Sequence, residues 1–163
     1  MSKSRRVAFC AVFSALAIIF SYIETLFNFS SAIPGVKPGI SNIAIIVSLF
    51  ILGKKEAFFV MLIKVLVSSL LFHSPTVLIY SLFGGVFSFF VMCLLMRFGF
   101  HIITISLAGG LFHNTGQLLC ASLFMKNFGI FYYLPVLLLA GSLFGVLTGI
   151  LSLLIIKRLK NFK

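Results

Sequence analysis

The sequence contains no aspartate and no tryptophan, and its only acidic residues are two isolated glutamates, Glu24 and Glu56. Diphosphate chemistry run through magnesium needs clustered carboxylates as hard oxygen ligands, which two separate glutamates cannot supply. ATP hydrolysis needs a glycine-rich loop ending in Gly-Lys-Ser/Thr, whereas the Gly53-Lys54 pair continues into Lys55 and Glu56. The chain is therefore expected to be no enzyme and to hold no cofactor of its own. Charge of either sign is also scarce: 9% of the 163 residues are charged, against about 25% in ordinary soluble domains. With 61% apolar positions and a mean hydropathy of +1.25, the soluble class is excluded.

The charge that is present is basic, with a net value of +11, and its placement decides what it means. Lys3, Arg5 and Arg6 precede the first apolar run, Lys54 and Lys55 separate the second from the third, Arg97 ends the fourth, and Lys157, Arg158, Lys160 and Lys163 form the tail. These ten of the thirteen cations fall at every second boundary, while Lys37 and Lys126 lie at the alternate ones and Lys64 lies inside a span. Such asymmetry is the positive-inside pattern of a multi-pass protein of the cytoplasmic membrane, with both termini in the cytoplasm and an even number of crossings. It predicts a lipid bilayer as surroundings and no nucleic-acid partner. Cys10, Cys93 and Cys120 lie in apolar runs without metal-ligand spacing and read as small packing residues. The first apolar run continues past the cleavage-like Ala15-Leu16-Ala17, so it is expected to be an uncleaved first helix.

Punctuation predicts a single all-α domain, residues 1–163, with six spans at about 7–29, 40–52, 57–72, 77–97, 102–125 and 131–156. A crossing needs about 20 residues, so the second and third spans are short. Short helices joined by the tight Gly53–Glu56 turn would leave a concavity near the outer surface. The loop holding Pro34, Gly35, Lys37, Pro38 and Gly39 is then either a lid over it or an ordinary connection whose prolines stop two helices.

Polar groups inside spans are costly, so each is a candidate site residue. Glu24 lies about 25 Å from the inner surface, Asn42 near the outer start of the second span, and Lys64 only about 10 Å above the inner boundary. The height gap of about 15 Å favours separate roles for Glu24 and Lys64. Glu24 either contacts a ligand or structures the lid; Lys64 either neutralises an anionic part of a ligand or snorkels inward. On the fifth span Gly110, His113, Asn114, Gln117 and Ala121 share one face, which reads either as a pocket wall or as interhelical hydrogen bonding. Ala8, Ala11 and Ala15 line one face of the first span, and Gly141, Gly145 and Gly149 one face of the sixth. Small faces permit close helix approach. Buried, the alanine ladder is ordinary packing; exposed, it is a docking strip for another membrane protein.

Several short motifs in this order resemble one family: Pro34-Gly35-Val36-Lys37 through Gly39 and Asn42, Gly53 to Glu56, Tyr80-Ser81-Leu82-Phe83-Gly84-Gly85, His113-Asn114-Thr115-Gly116-Gln117, and Tyr133-Leu134-Pro135 with the last-span glycines. The set resembles the Gx transporter family, also labelled heptaprenyl diphosphate synthase component I, over nearly the whole chain. That family is similar to the substrate-binding S components of energy-coupling factor (ECF) transporters. The resemblance implies a six-helix bundle that captures a vitamin-like molecule beneath a Pro34–Gly39 lid, and the synthase label suggests an isoprenoid or quinone precursor; with the polar groups above, Glu24, Lys37, Asn42, Lys64, His113, Asn114 and Gln117 are expected around that ligand. It implies partners as well: a transmembrane coupling protein, met through the Ala-x-x-x-Ala motif at Ala11 and Ala15, with Ala8 extending the same face, and two ATPase subunits that consume the ATP. The synthase label implies instead a noncatalytic membrane subunit bound to an aspartate-rich enzyme. A purely structural membrane protein is the third expectation.

Overall fold

Apolar runs broken by glycine, proline and charge form six α-helices, and no strand occurs among the described residues. The computed structural model describes residues 2–26, 39–72 and 74–161. The helices are α1 (Lys3–Leu26), α2 (Ser41–Ile51), α3 (Lys54–Phe72), α4 (Pro75–Arg97), α5 (Ile102–Met125) and α6 (Leu134–Asn161), with a 3₁₀ turn, Phe128–Tyr133, entering α6. Pro34, Gly35, Lys37 and Pro38 of the predicted lid lie outside the described residues.

Boundaries follow local chemistry. Gly53, at φ +114°, reverses the chain in a conformation that side chains resist, and α3 starts at once with Lys54-Lys55-Glu56 as its first turn. The third helix is thus three residues longer than the charge-based expectation, because a charged first turn with an acid near the helix N-terminus is favourable rather than disruptive. Pro75 supplies the preset φ of the first turn of α4. Helix α5 spans 102–125 as expected and stops where Lys126 turns left-handed at φ +49°.

The second helix is short, as expected: its 11 residues reach about 16 Å, roughly half of the hydrocarbon core. Ile43 through Leu49 are all buried, and a helix apolar on every side belongs inside a bundle. Helix α2 accordingly packs on α1, α3 and α6, and Ile46 and Leu49 form the core with Val60, Met61 and Ile105. Helix α5 lies between α4 and α6. The α5–α6 approach is backbone-close: a Cβ on Gly145 would stand 2.9 Å from Leu107 Cα, and one on Gly149 3.0 Å from Ile103 Cα. The glycine ladder of the sixth helix is therefore internal packing, stitched by Ser106 Oγ donating to the Gly145 carbonyl at 2.7 Å.

Outward faces are apolar. Three stretches, Lys3–Leu26, Pro75–Arg97 and Phe128–Leu159, are long and apolar enough to cross a membrane. Large side chains such as Phe59, Phe90, Leu139 and Leu143 stand exposed around the bundle, as a lipid-facing surface requires. At the end that carries the amino terminus, Arg6 of α1 pairs with Glu56 of α3 at 3.1 Å.

Candidate functional site

Side chains from all six helices converge on one central cavity of about 60 Å³. Glu24 reaches it from α1, Asn42 from α2, Lys64 from α3, Ser88 from α4, His113 and Asn114 from α5, and Thr148 from α6. The space is enough for a few water molecules.

Glu24 is buried, and its carboxylate has a defined task. Oε1 accepts the Ser41 backbone N–H at 2.8 Å and Oε2 accepts the Ser41 hydroxyl at 3.3 Å. Ser41 opens α2, so a residue of α1 caps the α2 N-terminus, where unpaired N–H groups and the helix dipole favour negative charge. The local cap position, Ile40, has no side chain able to do this. Glu24→Ala, leaving the Ser41 donors unpaired in a buried place, is expected to destabilise the bundle by about 1–3 kcal/mol. Glu24→Gln should cost less, because an amide oxygen still accepts one bond. Thermal unfolding of the purified variants measures both.

The height gap counted along the helices does not keep Glu24 and Lys64 apart. Both line the cavity, and the carboxylate acts electrostatically on the lysine. The long lysine stem carries its ammonium away from the height of its own Cα. No ion pair joins them: among the described residues the pair is Arg6–Glu56.

The fifth-helix stripe divides. Gly110, His113 and Asn114 line the cavity, and Asn114 Nδ2 also donates to the Leu137 carbonyl at 2.8 Å, fastening α5 to α6. Gln117 is not among the lining residues; it packs over Gly84 of α4 and donates to Ser81 Oγ at 3.4 Å. Gly39, at φ +69°, sits at the cavity next to the Asn42 amide. Lys37 lies outside the described residues.

Sequence reasoning overlooked the hydroxyls. Ser41, Ser88, Ser106 and Thr148 all reach the cavity, yet single serines and threonines are common in membrane helices and carry no spacing signal. Among the described residues no three His, Cys, Asp or Glu side chains gather as a metal site needs.

A second surface lies on α1. One face, with Phe13, Ala17 and Ser21, packs inward, whereas Ala8, Ala11 and Ala15 are all exposed. Among the described residues the alanine ladder therefore lies on the outward side of α1.

Among curated proteins and among solved structures, none matches the chain. The profile of a family described as heptaprenyl diphosphate synthase component I matches residues 13–155, which takes in α2 to α5 whole, most of α1 and α6, and every residue lining the cavity. This helical membrane protein belongs to the heptaprenyl diphosphate synthase component I family.

Proposed function

We propose that the chain is the substrate-binding membrane subunit, the S component, of an ECF-type importer for a small vitamin-like, isoprenoid or quinone-precursor molecule. The observation that carries this reading is the exposed alanine strip Ala8, Ala11 and Ala15 on a helix whose opposite face is packed. Small side chains turned to lipid give up contact area, a cost that is recovered when another helix lies close against them. A polar cavity enclosed by all six helices supports the same reading, since buried serine, asparagine, lysine and glutamate are expensive in hydrocarbon unless they serve a guest or each other. The remaining elements complete the topology: α2, α3 and α5 join the three long apolar stretches as a six-helix membrane bundle. With the basic clusters inside, both termini face the cytoplasm of a bacterial cell. ATP is used by partner subunits, and this chain catalyses nothing.

The family description favours a second reading, a noncatalytic membrane subunit that holds a prenyl diphosphate synthase at the bilayer. Affinity purification of the tagged chain from its native membrane, followed by mass spectrometry, separates the two. An integral coupling protein with two ATPases is the expected outcome; a soluble, aspartate-rich prenyl synthase as the stable partner would establish the second reading.

A further inference from the structure

The central cavity holds two charged side chains, Lys64 and Glu24, which form no ion pair with each other. Lys64 is half-buried on α3 and lines the cavity, and among the described residues its ammonium enters no hydrogen bond or ion pair. Glu24 shares the space, but its two oxygens are committed to the Ser41 amide and hydroxyl, and the α2 N-terminus offsets its charge.

The neutral lining groups are also engaged. Ser88 donates to the Gly109 carbonyl, Ser106 to that of Gly145, Thr148 to that of Phe144, and Asn114 to that of Leu137. Among the described residues, the Lys64 ammonium and the half-buried Asn42 amide beside Gly39 line the cavity without a side-chain hydrogen bond, and His113 lines it as well. Glu24, bound to Ser41, is not within ion-pair distance of the Lys64 ammonium, so a guest that brings negative charge directly against Lys64 offsets the cost of withdrawing it from water.

We propose that this cavity is the head-group site for a small amphipathic anion, with Lys64 as its ion-pairing residue and Asn42 as a neutral donor. The proposal rests on the import reading for its ligand and names the class of that ligand: a carboxylate or phosphate on an apolar body. Preference for a cationic or neutral guest would contradict it.

The test uses the full chain in nanodiscs of zwitterionic lipid, titrated with hexanoate, hexyl phosphate, hexanol and hexylammonium while thermal unfolding is followed. At least one of the two anions should raise the unfolding midpoint, and which one does so separates a carboxylate from a phosphate head. Hexanol and hexylammonium should not raise it. Lys64→Met should weaken the anion response about tenfold or more, the loss expected for a charge-assisted contact, while Lys64→Arg keeps most of it. Lys64→Gln replaces the Met variant if the latter does not unfold cooperatively without probe. Stabilisation by hexylammonium equal to that by the anions, an undiminished response in Lys64→Met, or no response to either anion would overturn the assignment. Failure here is distinct from failure of the import reading, because partner recovery from native membranes is read on the same variants: a retained coupling protein with no anion response removes only the head-group assignment.

Discussion

Replacing Ala11 and Ala15 together by leucine is expected to cut recovery of the membrane partner about tenfold or more, while the isolated chain folds and melts as before. Both alanines are exposed on α1, so larger side chains there meet no other part of the bundle. Leucine is also a good helix former and is well solvated by lipid. A partner helix would instead be held off by the added bulk, and association driven by close van der Waals contact falls steeply with distance. Tenfold corresponds to only about 1.4 kcal/mol, which two misplaced leucines readily supply. Quantitative mass spectrometry of the affinity-purified complex reads the effect, and size-exclusion chromatography with thermal unfolding checks the fold. Undiminished recovery would remove the alanine strip as the docking surface.

A comparably large effect, on stability rather than assembly, is expected for Gly110→Leu. A Cβ at this position would stand 2.6 Å from the Gly141 carbonyl oxygen, and that obstacle is backbone. Helices α5 and α6 would have to separate along the seam that Asn114 and Ser106 fasten, at a cost of about 3 kcal/mol. The seam also forms one wall of the cavity, so the variant should lose any ligand-induced stabilisation together with its thermal midpoint. An unchanged melting profile would mean that the two helices do not lie this close in the membrane.

Much of the architecture could be read from residue order. Glycine, proline and lysine punctuate the apolar runs, and α5 ends at the boundary that Lys126 marks. The shortness of α2 was visible because 11 to 13 apolar residues cannot span a bilayer, whatever their packing. The start of α3 was not, since Lys54-Lys55-Glu56 resembles a loop in composition but is stable as a helical turn at an interface. Candidate polar residues were visible through their cost in hydrocarbon, which is why Glu24, Asn42, Lys64, His113 and Asn114 were singled out and now line one cavity. Their roles were hidden. That Glu24 caps α2 depends on a contact between residues 17 apart in sequence, and that Gln117 turns toward Ser81 depends on a gap left by Gly84. Periodicity places a residue on a face, but only the neighbouring helix decides what that face meets.

The reading of this chain as a ligand-capturing subunit energised by others turns on what touches α1 in the membrane. A photo-crosslinking amino acid placed at Ala15, with a second at the lipid-exposed Leu143 of α6 as control, answers this in native membranes. The expected result is a strong adduct from position 15 to an integral membrane protein that co-purifies with ATPase subunits, and only lipid adducts from position 143. Lipid adducts alone from both positions, or capture of a soluble prenyl synthase at position 15, would contradict it.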